Sequence, residues 1–138
     1  MLSSSGPTVV LMDMKLELVM VPVTDIDRAK EFYEKVGFAV DHDRTVSDEI
    51  RFVQLTPAGS ACSIAIGRGL TRMAPGSLDN LQVVVADADA VYAHLLEQGI
   101  EADGVADLEW GRFVTVRDPD GNRWSFQELP DYAATGRR

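Results

Sequence analysis

Leu16-Glu17-Leu18-Val19-Met20-Val21-Pro22-Val23-Thr24-Asp25 and Leu78-Asp79-Asn80-Leu81-Gln82-Val83-Val84-Val85-Ala86-Asp87 follow one pattern at an offset of 62 residues. Each is a short apolar run rich in valine, as strands are, ending on an aspartate able to cap a following helix. Working outward at the same offset, Asp27, Gly37, Pro57, Gly59 and Ser63 fall on Asp89, Gly99, Pro119, Gly121 and Ser125. Arg51-Phe52-Val53 returns as Arg112-Phe113-Val114 at an offset of 61, so a one-residue gap is made good before Pro119. Punctuation residues kept in this order mark an internal duplication.

Within each half the elements run in the same order. After Asp25, Ile26, Ala29, Phe32, Tyr33 and Val36 recur at helical spacing, and Ala88, Val91, Tyr92 and Leu95 do so after Asp87. Gly37 and Gly99 stop the two helices. Short strands near 39–43 and 101–105 should follow, then strands over 50–55, 61–66, 111–117 and 123–129, with Pro57-Ala58-Gly59 and Asp118-Pro119-Asp120-Gly121-Asn122 as tight turns. The expected organisation is an α+β fold of two βαβββ modules, residues 15–67 and 77–129. Residues 68–76 link them, 1–14 form an N-terminal arm and 130–138 a C-terminal tail. Val9 to Met12 are apolar enough to add to a sheet edge or a partner subunit if the arm is ordered.

Composition narrows the class. The chain has 138 residues, 46% hydrophobic and 25% charged, enough for a core without staples. A formal charge of −9 disfavours nucleic acid and anionic membrane as partners. No run approaches the roughly 20 apolar residues of a membrane span, the start lacks the basic residues of a signal peptide, and Cys62 has no second cysteine to pair with. A cytoplasmic protein is expected.

The order Pro22-Val23-Thr24-Asp25, Ala29, Phe32-Tyr33, Gly37-Phe38 and then Asp118-Pro119-Asp120-Gly121-Asn122 resembles the vicinal oxygen chelate superfamily of glyoxalases, bleomycin-resistance proteins and ring-cleaving dioxygenases. The resemblance covers most of residues 15–129. It implies a curled mixed sheet with helices outside, a ligand cavity inside the curl, and in many members a homodimer that completes it. The superfamily hosts metal-dependent isomerisation and dioxygenation beside metal-free drug sequestration, so the site must decide the activity.

In the enzymatic members, metal ligands come from the first and last strands of each module. Counting seven back from Asp25 and Asp87 and four on from Gly59 and Gly121 places Leu18, Asn80, Ser63 and Ser125 there. These are poor donors for a divalent metal, so no metal and no cofactor are expected. Strand alternation sends Leu81, Val83, Val85, Trp124 and Phe126 towards the helix. It leaves Leu18, Met20, Asn80, Gln82, Arg123, Ser125 and Gln127 facing the cavity, with Trp110 in a glycine-flanked loop at its mouth. Apolar walls with sparse amides describe a small-molecule pocket.

The function expected is binding or sequestration of an aromatic or amphipathic metabolite or antibiotic by a homodimer. The alternative is a lyase, isomerase or dioxygenase drawing on Glu17, Asp79, Glu109 or Glu128, or on a carboxylate base. Glu49 and Glu109 could reach the cavity mouths as acid or base, though surface carboxylates are mostly solvated. His42 reads as a solvated histidine, His94 as packed beside the outer face, and Cys62, which matches Trp124, as a core residue. The Asp-Pro-Asp-Gly-Asn turn reads as structural.

Overall fold

Two sheets of the same construction share one core. The computed structural model describes residues 11–131, so the expectations for residues 1–10 and 132–138 lie outside the described residues. The elements in chain order are β1 (Leu18–Met20), α1 (Ile26–Val36), β2 (Phe38–Thr45), β3 (Arg51–Pro57), β4 (Ser63–Arg68), β5 (Asp79–Val85), α2 (Ala88–Glu97), β6 (Ala106–Leu108), β7 (Gly111–Arg117) and β8 (Arg123–Glu128). The sheets are ordered β1-β4-β3-β2 and β5-β8-β7-β6, with β1 parallel to β4, β5 parallel to β8, and the other pairs antiparallel. This is the α+β architecture of two like units that the repeat implied, and the glyoxalase-like one that the family resemblance implied.

The helices begin where the aspartates stand. The side chains of Asp25 and Asp87 accept from the backbone N–H of Arg28 and Ala90, satisfying groups that have no partner inside a helix. Helix α2 has a second acceptor at its start, the carboxylate of Glu128, which takes the Ala88 N–H at 2.9 Å. Gly37 closes α1 with φ of 126°, a conformation that glycine adopts without cost.

Three expectations need correction. β1 is shorter than 16–23, because Pro22 has no N–H for a ladder and Leu16 and Glu17 precede the paired region. The strand expected near 101–105 is reduced to a single bridge between Ala102 and Val116, and regular pairing resumes only at Ala106. Asp103 and Gly104 are poor strand formers and interrupt the ladder. Cys62 is half-buried rather than in the core. It precedes the first paired residue of β4, and the two halves differ in register: Met20 stands opposite Ala65, whereas Gln82 stands opposite Ser125.

The core joins the halves. Tyr33 of α1 lies 1% exposed with its ring 5.6 Å from that of Trp124 in β8 and 5.4 Å from that of Phe38. Its hydroxyl donates to Asp118 at 2.7 Å and accepts from Trp124 Nε1 at 2.9 Å. Burial first, and then the charge of Asp118, push the Tyr33 phenol far above its ordinary range. Asp118 also takes the side-chain N–H of Asn122 and the backbone N–H groups of Asp120 and Asn122. Asn122, 0% exposed, donates to the Pro22 carbonyl and accepts from the Leu78 N–H. Asp120 receives both the N–H and the hydroxyl of Thr24. Gly76 passes this turn so closely that a Cβ would sit 2.0 Å from the Asp120 carbonyl oxygen. The turn is structural, as expected, and in addition it clamps the first half of the chain to the second.

The repeated Arg-Phe-Val acquires a meaning. Arg51 bonds Asp43 with two nitrogens and Asp27 in the first turn of α1. Its equivalent Arg112 bonds Asp107, and Asp89 in the first turn of α2. In both halves a guanidinium ties the third strand to the start of the helix. Hydrogen bonds from Arg51 and Lys30 lower the Asp43 carboxyl to about 2, and Arg112 lowers that of Asp89.

Candidate functional site

Pairing puts the expected residues on one side of each sheet. In the second sheet Gln82 stands opposite Ser125 and Val84 opposite Gln127, while across β7 Thr115 faces Ser125 and Phe113 faces Gln127. Leu81, Val83, Trp124 and Phe126 point the other way into the shared core. In the first sheet Leu18 stands opposite Ser63 and Met20 opposite Ala65. Met20 and Leu18 therefore lie on the first sheet and the polar set on the second, and among the described residues no hydrogen bond joins the two sets.

The polar set forms two hydrogen-bonded groups. Ser125 Oγ donates to Asn80 Oδ1 at 2.6 Å, Gln82 Nε2 donates to Gln127 Oε1 at 2.7 Å, and Gln127 Nε2 donates to the Trp110 carbonyl at 2.8 Å. Gln127 is 6% exposed, so both ends of its amide must be satisfied within the protein, and they are. Asn80 sits in a bulge between Asp79 and Leu81 with φ of 102°. It is the one non-glycine residue with positive φ among the described residues, and a bulge of this kind re-aims a side chain. Arg123 is held at 2.6 Å by Asp79.

Trp110 belongs to the two-residue turn joining β6 to β7, and its indole is 54% exposed. The glycine after it is required by contact, because a Cβ on Gly111 would lie 2.5 Å from the Glu128 carbonyl oxygen. The turn thus rests directly on β8, with its carbonyl held by Gln127 and its ring left outside.

Sequence reasoning missed Phe113 and Thr115 on this face, and Phe52, Gln54 and Thr56 on the matching face of the first sheet. Gln54 donates to Ser63 at 3.2 Å, and Thr56 bonds both Ser63 and Asp41. Phe113 is buried yet outside the core cluster that the helices cover, as expected for a residue on the opposite side. The alternation used for β5 and β8 would have found all five had it been extended to β3 and β7.

The donor set at the family's metal positions does not fit a metal. Leu18 has no donor atom, Ser125 and Asn80 bond one another, and Ser63 is engaged by Gln54 and Thr56. Among the described residues no group of three or more His, Cys, Asp or Glu gathers where an ion would bind. The carboxylates of the alternative reading are spread out: Asp79 on Arg123, Glu128 at the start of α2, and Glu17 and Glu109 in solvent. Glu49 and His42 are exposed. His94 is exposed rather than packed on the outer face, and its Nε2 bonds the Lys35 carbonyl at the end of α1, joining the two helices.

Several grooves open on the described residues. One of about 420 Å³ lies between the turn at residues 57–60 with the start of β4 and strand β5, and is lined by Val19, Ser63, Ile64, Leu81, Gln82 and Val84 among others. Another of about 490 Å³ lies between α1 and residues 98–103, lined by charges of both signs. None of the residues expected at the site lies in the second.

Paired βαβββ units around a shared core, with one face of each sheet free of helix, define a glyoxalase-like protein. The family model described as Glyoxalase/Bleomycin resistance protein/Dioxygenase superfamily matches residues 15–126, and the chain belongs to that superfamily. It is 30% identical over 115 residues, 80% of this chain and 94% of the other, to the uncharacterized protein YetH of Bacillus subtilis (strain 168). Among solved structures it resembles TnmS3, an antibiotic binding protein from Streptomyces sp. CB03234, at 35% identity and a TM-score of 0.79, covering 87% of this chain and 99% of that one. A glyoxalase/bleomycin resistance protein from the same strain matches at 36% identity and a TM-score of 0.74, covering 83% and 100%. No helix among the described residues is long and apolar enough to cross a membrane.

Proposed function

We propose that the protein binds a small aromatic or amphipathic molecule, a metabolite or an antibiotic, on the helix-free face of the second sheet, without a metal or cofactor. The observation that carries this reading is the composition of that face. Ser125 with Asn80, and Gln82 with Gln127 and the Trp110 carbonyl, form two hydrogen-bonded groups on the face that carries Phe113, with Trp110 half-exposed beside it. Exposed aromatic area beside oriented amides suits an aromatic ligand that needs stacking and a few directional bonds. The likeness to an antibiotic binding protein supports the same class of ligand.

The functional unit in this reading is a cytoplasmic homodimer. Val84 is 59% exposed on the same face, and Leu108, Met12, Met14 and Leu16 are also exposed. A second copy laid across these surfaces would enclose the ligand, with Leu18 and Met20 of one sheet supplying apolar wall. An interface of this kind needs about 1,000 Å² in total.

The test is a fluorescence screen of aromatic metabolites and antibiotics, read by quenching of Trp110 and Trp124 and repeated on Trp110→Ala and Gln82→Leu. Binding that both variants retain at parental affinity refutes the assignment of the site.

A further inference from the structure

Hydrogen-bond polarity on the ligand face is set by a chain that begins at a backbone carbonyl. The Trp110 carbonyl can only accept, so the Gln127 side chain must turn its NH₂ towards it, as the 2.8 Å bond shows. Gln127 Oε1 is then left as an acceptor, and its partner at 2.7 Å must be the NH₂ of Gln82. Gln82 Oε1 takes no part in this chain, which Gln82 enters through its NH₂, and Gln82 is exposed whereas Gln127 is buried. A buried glutamine bonded at both ends cannot rotate without losing both bonds, so the arrangement is held in one sense.

We infer that Gln82 presents its carbonyl oxygen to the ligand as a fixed acceptor, so that the site selects planar molecules carrying an O–H or N–H donor on one edge, such as phenols and lactams. The inference rests on the second sheet's face being the ligand site. It makes Gln82 a specificity-determining residue and Gln127 a positioning residue that couples the reading of the donor to the seat of Trp110.

Matched probes separate this from general apolar binding. 2-Naphthol and 2-methoxynaphthalene share a ring system, and only the first can donate; a surface that recognised apolar area alone would favour the ether. Titration of the full chain, followed by amide NMR shifts including the Gln82 and Gln127 side chains, should give 2-naphthol the tighter dissociation constant by about tenfold, the worth of one neutral hydrogen bond. Gln82→Leu should abolish or invert the preference. Gln127→Leu should reduce it, because Gln82 is then free to offer either end of its amide. The exposed position of Gln82 keeps its variants foldable, and Gln82→Met serves as a second apolar replacement. Equal affinity for the two probes in the parent, or a preference unchanged in Gln82→Leu, overturns the inference and leaves the face as a ligand site. Absence of binding by either probe at this face overturns both.

Discussion

Replacing Tyr33 with phenylalanine should weaken the fold by about 3 kcal/mol, although it removes one oxygen atom and no apolar contact. The hydroxyl is the junction of two bonds, one to the Asp118 carboxylate at 2.7 Å and one from Trp124 Nε1 at 2.9 Å. A bond to a charged acceptor contributes about 1.5–3 kcal/mol, and a buried N–H left without a partner costs about 1–3 kcal/mol. The low half of each range applies, because Asp118 keeps three other donors from Asp120 and Asn122. Urea unfolding followed by Trp124 fluorescence should show an unchanged m-value and a lower midpoint, and thermal unfolding should fall by roughly 10 °C for a chain of this size. The pH dependence has a definite sign. The folded-state value of Tyr33 is raised, so its contribution is complete below the unfolded value of 10.0 and is lost as pH rises above it. Parent and Tyr33→Phe should therefore converge in stability at alkaline pH. A loss below about 1 kcal/mol at neutral pH, or a gap that widens with pH, would refute the reasoning.

Asn122→Ala should cost at least as much as Tyr33→Phe, since it orphans the Leu78 N–H and the Pro22 carbonyl together; chemical denaturation measures it. Arg51→Met should raise the acid-unfolding midpoint: the lowered Asp43 carboxyl stabilises the fold above its unfolded value of 3.8, and this is lost as pH falls towards 2, so a pH titration by circular dichroism should separate variant from parent within that window. Trp110→Ala should leave stability within about 1 kcal/mol, given its exposure, while weakening an aromatic ligand by about 2 kcal/mol, near thirtyfold. Sedimentation should show a dimer at micromolar concentration, and a monomer throughout would refute the proposed enclosure. Protein purified without chelator should carry no stoichiometric zinc, nickel, iron or manganese.

Local chemistry was legible in the sequence and long-range polar chemistry was not. Asp25 and Asp87 announced the helix starts because a cap acts over three residues, and alternation placed Trp124 and Phe126 on the core side because a strand has a period of two. The Asp118 turn looked merely structural because its partners Tyr33 and Pro22 lie in the other half of the chain, and nothing in a linear pattern shows which tyrosine a distant aspartate will meet. Cys62 was misplaced by treating the duplication as a strict copy. A bulge at Asn80 and a different register opposite β4 and β8 break that equivalence.

The duplication also separates what the fold needs from what it does not. On the core side the halves agree: Val21 with Val83, Val53 with Val114, and an arginine at the start of each third strand bonded to the first turn of its helix. Phe52 and Phe113 also agree, on the opposite side. Strand pairing sets two further counterparts on that side: Met20 opposite Ala65 answers to Gln82 opposite Ser125, and Gly67 opposite Phe52 answers to Gln127 opposite Phe113. One βαβββ unit therefore stands with methionine and glycine where the other has Gln82 and Gln127, so the amides are not demanded by the strand pattern. Each buried amide must find partners or cost about 1–3 kcal/mol, and in the second unit Gln127 meets that demand only by engaging both Gln82 and the Trp110 turn. A stabilising role would be served more simply by apolar side chains at both positions. It follows that Gln82→Met with Gln127→Ala, which removes both amides, should keep stability close to parental while abolishing discrimination between 2-naphthol and its methyl ether. A double variant that unfolds, or that discriminates as well as the parent, would show that the amides serve the fold instead.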